Sequence, residues 1–395
     1  MAGPTGLQDQ NIIIITRPRE PRGNGRNRRA LASGILTIVL AGVSIVGLWH
    51  IFVMTQQTSA VTPADNCLGL IRTTDYTRIV DLQTQSQEME AVQFIDQVVG
   101  GRPAALVQVM NQNAEHTLDV YIYGCAIQKQ HPELTTLFTR HGLAQGTASI
   151  SQANTLVISV LDTSLPADSS ALLQPLQQDV YQEYAWRNGA FVQVAFPALY
   201  PVTSSIEAAA LQQEANIGQS LPWSDPLATA EQMARDIFKW PLVSAQDSVV
   251  SNDGTTAQVQ LVQQSPSLQV TVILKRLVQN DNKGLWFVTA AKTAGLTLDQ
   301  TNFDLPVTSP FQLQGTGALV DGQNTIQIFD HTFSPVSTLS AAQVHVNPDG
   351  TYSCSLSYAN VAHNQQGLLL LQSLPEQANY SVEPGQLLLV SVILG

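Results

Sequence analysis

The chain has 395 residues, a formal net charge of −12 and a charged-residue content of only 12%. An acidic surface repels a phosphate backbone, so we expect no nucleic acid among the partners. Charged residues usually make up ~25% of a protein. Here uncharged polar residues take their place, which is typical of exported proteins. The charge is also unevenly divided, at +4 over the first 60 residues and −16 over the rest.

An apolar segment marks this division. Residues 31–54 read LASGILTIVLAGVSIVGLWHIFVM and contain no charged side chain. As an α-helix rising ~1.5 Å per residue, the segment would be about 36 Å long, enough to cross a hydrocarbon core of ~30 Å. Six arginines precede it, from Arg17 to Arg29, and predict a cytoplasmic N-terminus. We therefore expect one transmembrane helix in the lipid bilayer, a disordered basic arm at 1–30 in the cytoplasm and an extracytoplasmic remainder.

A cleaved signal peptide is the alternative to this anchor. Signal peptides have an apolar core of ~7–15 residues and a small-residue cleavage site. The apolar run here is longer, and its candidate site, Thr58-Ser59-Ala60, fits poorly. We therefore expect an uncleaved, single-pass protein of the cell membrane, with a tether at 55–65 leading to the outer domains.

Residues 66–202 combine helical and strand patterns, which predicts a first α+β domain. Apolar residues at helical spacing predict a helix over Glu88–Val99, and Pro132 begins a short helix that ends at Gly142. The Asn188-Gly189 pair supplies the positive φ angles of a type I′ turn and predicts a β-hairpin. Strands are predicted at 104–110, 117–125, 155–161 and 180–186.

Part of this domain resembles a known family of exported proteins. The runs PELTTLFTRHGLAQGTASIS, TLVISVLD and DVYQEYAWRNGAFVQVAF are similar to the LppP/LprE-type lipoproteins. The matching positions are Gly142, Gly146, Thr147, Tyr184, Trp186 and Gly189. The resemblance implies a small exported domain and brings no catalytic residues. The chain departs from the family in lacking a lipobox cysteine, whose anchoring role the apolar segment would take.

Residues 203–300 predict a second α+β domain with two helices and a strand meander. Alanine-rich residues 204–217 predict the first helix, and Ser224-Asp225-Pro226 predicts the start of the second. Strands are predicted at 247–250, 257–262, 268–278 and 285–290. Helices packed on a meander are typical of NTF2-like and cystatin-like folds, which is an analogy of fold alone.

A linker at 301–308 leads to an all-β stretch at 309–395. Strands are predicted at 311–317, 325–330, 342–346, 351–358, 367–374 and 386–394, the spacing of a sandwich. The runs SPFQLQGTGALVDGQNTIQIFDHTF, NPDGTYSCSLSY and LLLVSVIL resemble the Gmad2 domain, an immunoglobulin-like module of bacterial spore-germination and other envelope proteins. The resemblance implies a bacterial cell-surface role, with a link to sporulation or germination, and brings no catalytic residues.

Three cysteines, Cys67, Cys125 and Cys354, allow three pairings. Disulfides persist outside the cytoplasm, and Cys67 and Cys125 fall in the same predicted domain. We therefore favour a disulfide between these two, with Cys354 free; three buried unpaired cysteines are the alternative. The chain has no CxxC motif, so neither a zinc ribbon nor a thioredoxin-like site is expected.

No recognised catalytic, nucleotide-binding or metal-binding motif occurs, so we expect no enzyme, cofactor or metal site. His131 and His141 flank Glu133 but lie too far apart for one metal site. Asp330-His331 and His345 predict either a small polar cluster or, more simply, exposed and capping residues. Aromatic side chains are the better indication of binding, although core packing is their commoner role. The aromatic positions singled out are Tyr184, Trp186, Trp223 and Trp240.

These features predict a membrane-anchored binding or scaffold protein of the bacterial cell envelope, whose partner is an envelope protein or a cell-wall ligand. A signalling subunit resembling an anti-sigma factor is one alternative, although the arm at 1–30 lacks a His/Cys cluster for zinc. An unrecognised cell-wall hydrolase is the other. The predicted fold class is multidomain α+β with a C-terminal, all-β immunoglobulin-like sandwich behind one transmembrane helix.

Overall fold

The computed structural model describes most of the chain after residue 62. The described residues are 63–80, 82, 87–99, 102–112, 116–128, 131–165, 175–240, 246–263, 267–299, 305–319, 324–339, 344–359, 361–374 and 385–395. The predicted arm, the predicted transmembrane helix at 31–54 and residues 55–62 of the tether lie outside them. Within the described part, no helix has the length and apolar character needed to cross a membrane. The architecture is mostly β, with several antiparallel sheets.

The described chain contains many more strands than helices. The helices are α1 (Pro63–Thr73), α2 (Tyr76–Ile79), α3 (Ser205–Asn216) and α4 (Pro226–Asp236), with 3-10 turns at Pro175–Gln178 and Pro222–Ser224. The first strands are β1 (Gln87–Val99), β2 (Arg102–Asn111), β3 (Thr117–Gln128), β4 (His131–Ala144), β5 (Thr147–Ile150), β6 (Leu156–Leu161), β7 (Asp179–Arg187) and β8 (Ala190–Val194). The next are β9 (Ser248–Asn252), β10 (Thr256–Gln263), β11 (Leu268–Lys275), β12 (Phe287–Lys292) and β13 (Thr297–Leu298). The last are β14 (Phe311–Thr316), β15 (Asn324–Phe329), β16 (Pro335–Leu339), β17 (His345–Val346), β18 (Thr351–Leu356), β19 (Gln365–Ser373) and β20 (Gln386–Leu394).

The described chain divides into two compact units. The described residues of the first unit lie before Asp81 and within Met89–Val107 and Ile122–Thr136; those of the second lie within Leu82–Glu88, Gln108–Tyr121 and Leu137–Gly395. Strands β1 to β4 form one sheet in the order β1-β2-β3-β4. Neither unit ends at the domain boundaries expected from the sequence after residue 202 and at 301–308.

A disulfide joins a helix of the first unit to its sheet. Cys67 on α1 is bonded to Cys125 on β3, with Cα atoms 5.6 Å apart. This is the pairing that the sequence favours, and Cys354 is free and buried. The ring of Tyr76 on α2 lies 5.6 Å from that of Tyr123 on β3. One covalent bond and one aromatic contact therefore hold both helices against β3.

Two helices predicted for this part of the chain are wrong. Glu88–Val99 lies in the strand β1, and residues 132–142 lie in the strand β4. In β1, the exposed Glu88 and Glu90 alternate with half-buried neighbours, which is the two-residue period of a strand. Pro132 lies near the start of an edge strand, a position where proline is tolerated. Pairing of β1 with β2 and of β4 with β3 therefore overrides the local helical spacing.

A four-stranded antiparallel sheet of the second unit, in the order β5-β6-β7-β8, confirms the predicted hairpin. Strands β7 and β8 pair from Glu183 to Arg187. Asn188 and Gly189 connect them with φ angles of 51° and 87°. Both angles are left-handed, as a tight turn between twisted strands requires.

The two helices predicted for residues 203–240 are confirmed. Ser204 Oγ accepts a hydrogen bond from Glu207 N (3.2 Å) and donates one to Glu207 Oε2 (2.7 Å) at the start of α3. Asp225 Oδ1 accepts from Ala228 N (2.8 Å) at the start of α4. Pro226 occupies the first turn of α4, where a missing N–H leaves no bond unmade. Local capping therefore determines where both helices begin.

An eight-stranded antiparallel sheet in the second unit has the order β16-β15-β19-β20-β12-β11-β10-β9. Its longest pairing, between β19 and β20, matches nine residues from Gln365–Leu394 to Ser373–Gln386. Strands β9 to β12 come from the predicted second domain, whereas β15, β16, β19 and β20 come from the third. The sheet therefore continues across the predicted linker at 301–308.

Both faces of β19 are buried. Leu368 and Leu370 pack in one core with α4 and β10 to β12, whereas Leu369 and Leu371 pack in another. None of the four leucines is more than 1% exposed. A second sheet, β13-β14-β18-β17, contributes to the latter core through residues such as Leu313. The unbroken apolar run in β19 thus reflects burial on two sides.

Truncation of a buried leucine side chain in β19 should destabilise the protein strongly. We expect Leu369→Ala to lower the free energy of unfolding by about 3 kcal/mol, because it removes buried apolar surface and leaves a cavity. Leu305→Ala is the matched control, since Leu305 is 59% exposed, and it should change stability by less than about 0.5 kcal/mol. Urea unfolding of the full-length protein in mild detergent measures both. Equal midpoints for the two variants would contradict a central role for β19.

Candidate functional site

A cleft of about 550 Å³ opens where β12 and β20 stop pairing. In the described chain these strands pair at two positions, Ala291–Leu389 and Lys292–Leu388. Beyond these pairs, residues of both strands line the cleft: Thr289, Ala290, Val390 and Ser391. The volume falls within the ~300–1,000 Å³ that is usual for ligand sites. The cleft therefore forms at an interruption in the hydrogen-bonded ladder of a buried sheet.

The segment after β8 forms one wall of the cleft, and Gln366 makes three hydrogen bonds to its backbone. Gln366 Oε1 accepts a hydrogen bond from Phe196 N (2.6 Å). Its Nε2 donates to Phe196 O (2.9 Å) and Ala198 O (3.2 Å). Gln366 is 6% exposed, so these bonds are shielded from water. A neutral amide thus fixes the backbone of this wall at three atoms.

The short strand β13 forms another wall. Leu298 pairs with Gly315 on β14, and Tyr352 Oη donates to Thr297 O (2.7 Å). A Cβ atom at Gly315 would lie 2.3 Å from both Thr297 O and Tyr352 Oη. Glycine at this position therefore permits the close approach that places Thr297 and Leu298 against the cleft.

The charge of the cleft is opposite to that of the chain. Arg187, at the end of β7, and Lys292, at the end of β12, line the cleft and are exposed. Among the described residues no aspartate or glutamate lines it. The remaining lining combines backbone and small polar groups with apolar side chains such as Phe196 and Leu296. A concave site with this composition attracts anions that also carry apolar surface.

The four aromatic residues predicted from the sequence lie outside the cleft lining. Each packs against another ring with centroids 5.0–5.4 Å apart: Tyr184 on Phe138, Trp186 on Phe191, Trp223 on Tyr200 and Trp240 on Phe238. Tyr184 and Trp240 are buried. The structure therefore places these four side chains in packing roles, which is the commoner role of aromatic residues.

His331, noted in the sequence beside Asp330, forms a buried pair with Asp162. His331 Nε2 lies 2.9 Å from Asp162 Oδ2, and the two side chains are 4% and 1% exposed. Burial opposes ionisation of Asp162, but the hydrogen bonds from His331 and Ser164 outweigh burial and lower its pKa. His345 is instead exposed on the edge strand β17. Because the His331–Asp162 pair does not reach the surface, it joins segments of the fold and cannot meet an external substrate.

Other buried carboxyl groups of the second unit include those of Glu183 and Glu207. Burial raises the pKa of Glu183 on β7 and of Glu207 on α3. The hydroxyl groups of Thr155 and Ser205 partly offset the rise at Glu183. Nevertheless, Glu183 Oε2 is buried without a well-formed hydrogen bond among the described residues. An ionised Glu183 is therefore poorly compensated in the folded state.

No group of three or more His, Cys, Asp or Glu side chains in the described part could hold a metal ion. His141 Nδ1 lies 3.4 Å from Asp119 Oδ2, and His131 is exposed at the start of β4. No model of a known protein family matches the chain, and no curated protein matches it in sequence. The cleft is thus characterised by its own geometry and charge.

The poorly compensated carboxylate leads to a pH-dependent prediction. The pKa of Glu183 is raised in the folded state, so its favourable contribution exists below the unfolded value of ~4.3 and is lost as pH rises through the folded value. We expect Glu183→Gln to be more stable than the unmodified protein by about 1 kcal/mol at pH 8, with the difference vanishing at pH 4.

Thermal unfolding of both proteins at pH 4 and pH 8 measures this difference. Glu90→Gln is the control, because it makes the same replacement of a carboxylate by an amide at an exposed position. A Glu183→Gln protein that is no more stable at pH 8 would show that the buried carboxylate is adequately solvated.

Proposed function

We propose that the protein is a membrane-anchored binding protein of the bacterial cell envelope, which holds an anionic ligand in the cleft between β12 and β20. The observation that carries this proposal is the charge of the cleft. In a chain with a net charge of −12, Arg187 and Lys292 line the cleft and no described acidic side chain does. Fixed cations in a concave, partly apolar site attract and orient an anion.

The extracytoplasmic location is supported by two features of different kinds. The apolar segment 31–54 follows an arginine-rich arm, a pattern typical of a helix that leaves its N-terminus in the cytoplasm. The Cys67–Cys125 disulfide is of a kind that persists in oxidising compartments. The acidic surface argues against nucleic acid, so an envelope protein or a cell-wall ligand is the proposed partner.

The proposed architecture has three modules, of which the second and third share the eight-stranded sheet. Residues 66–202 are LppP/LprE-like, 203–300 are NTF2-like or cystatin-like, and 309–395 are a Gmad2-like immunoglobulin-like sandwich. Support for the sandwich comes from β14 and β18 on one sheet and β15, β19 and β20 on another, which share a single core. A role in sporulation or germination rests on the Gmad2 resemblance, and expression timed to sporulation tests it.

The proposed role is binding without catalysis. The His331–Asp162 pair has the residue types of an acid–base dyad, but its side chains are 4% and 1% exposed. A substrate cannot reach these side chains in this fold, which supports binding over hydrolysis.

Removal of cleft charge should weaken the binding of an apolar anion. We expect the fluorescent probe 8-anilinonaphthalene-1-sulfonate to bind the full-length protein in detergent, and Lys292→Glu to weaken it by about tenfold, equivalent to about 1.4 kcal/mol. Lys275→Glu is the matched control, because Lys275 is an exposed lysine on the neighbouring strand β11 that does not line the cleft. Fluorescence titration measures the affinities. Equal affinity in both variants, with unchanged unfolding curves, would contradict an anion site in the cleft.

The predicted anchor gives a separate test of location. We expect the full-length chain to sediment with membranes and to resist a high-salt wash, because about 24 apolar residues are enough to span a bilayer. Deletion of residues 31–54 should release the chain into the soluble fraction. Immunoblotting of both fractions measures the outcome, and a full-length chain found in the soluble fraction would contradict anchoring.

A further inference from the structure

We propose that the anionic ligand of the cleft is the carboxylate-bearing end of an extended peptide, which pairs with the backbone of β20 at Ser391. This inference rests on the proposed anion site and specifies its ligand. Three independent properties of the cleft support a peptide: an unpaired strand edge, apolar walls and two cations.

The hydrogen-bonding direction of β20 leaves an unpaired edge in the cleft. Thr293 N donates to Leu387 O (2.8 Å), and Ala291 pairs with Leu389, so these β20 residues direct their backbone groups toward β12. Alternate residues of an antiparallel strand point their N–H and C=O groups to the same side. The backbone of Ser391 therefore points to this side as well, where no described strand pairs with it.

The unpaired edge is short because the chain pairs again on both sides of it. Ile393 O, the next backbone group on the same side of β20, accepts from Val307 N (2.8 Å). Across the cleft, Val288 of β12 accepts from Leu199 N (2.7 Å) and donates to Tyr200 O (2.9 Å). A long added strand would collide with these partners, whereas the end of a peptide would fit between them. The cleft volume of about 550 Å³ is likewise that of a small-ligand site.

The side chains around this edge match a peptide better than they match other anions. Val194, Phe196 and Leu298 provide apolar contact, and alternate side chains of an extended peptide project to opposite faces where such walls stand. A simple inorganic anion would leave these walls unused. A neutral glycan would leave Arg187 and Lys292 without a counter-charge. A peptide carboxylate uses the backbone edge, the apolar walls and the cations together.

Calorimetry with matched probes tests the inference on the full-length protein in detergent. The probe is the acetylated tetrapeptide Leu-Val-Leu-Val with a free C-terminal carboxylate. Its controls are the same peptide as a C-terminal amide, and the same free acid with the internal amide nitrogens methylated. We expect the free acid to bind, and each control to bind about tenfold more weakly or worse, because the first removes the charge and the second removes strand pairing. Lys292→Glu should weaken the free acid about tenfold, and Lys275→Glu should not.

Two further probes separate failure of this inference from failure of the anion site. Octanoate carries a carboxylate on an apolar chain but has no peptide groups, and chitotetraose is a neutral glycan. If octanoate binds as tightly as the peptide, or if methylation has no effect, strand pairing is overturned while the anion site stands. Binding of chitotetraose in place of the peptide would overturn the peptide assignment. If neither octanoate nor the peptide binds, and the fluorescent anion also fails, the anion site itself is overturned.

Discussion

Burial of the β19–β20 pair on both faces is the constraint on which the second unit depends. The pair matches nine residues from Gln365 to Ser373, and its leucines alternate between two cores. One core contains α4 and β10 to β12, and the other contains the β13-β14-β18-β17 sheet. Two layers of structure therefore depend on the same two strands, and neither layer could bury its apolar face without them.

The cleft is a consequence of how β20 changes partners along its length. Its first residues pair with β12 up to Leu389, and near its end Ile393 O accepts from Val307 N. Ser391 lies between these two partners and is half-buried, whereas the other residues of β20 are buried. The site is consequently built on rigid elements, with one wall fixed by Gln366. Preorganisation of this kind lowers the ordering cost that a ligand must overcome.

Local signals in the sequence were sufficient for some elements and misleading for others. The helix after Ser204 and the hairpin at Asn188-Gly189 were predictable, because caps and tight turns depend on neighbouring residues. Glu88–Val99 was assigned to a helix because its apolar spacing is helical, although its sheet partner β2 begins only three residues later, at Arg102. The cleft could not be predicted, since Arg187 and Lys292 come together only through the sheet topology. A mostly β architecture was predicted for residues 309–395, whereas the number of strands in the preceding residues was underestimated.

The burial of Cys354, the free cysteine of β18, affects whether the native disulfide can undergo thiol–disulfide exchange. Thiol–disulfide exchange requires a thiolate that can reach a disulfide sulfur. Burial raises the pKa of Cys354 to about 11, and the side chain is 5% exposed. Once the fold has formed, this thiol stays protonated and enclosed, so it cannot attack the Cys67–Cys125 bond. An odd number of cysteines therefore does not expose the native chain to disulfide scrambling or to covalent dimers.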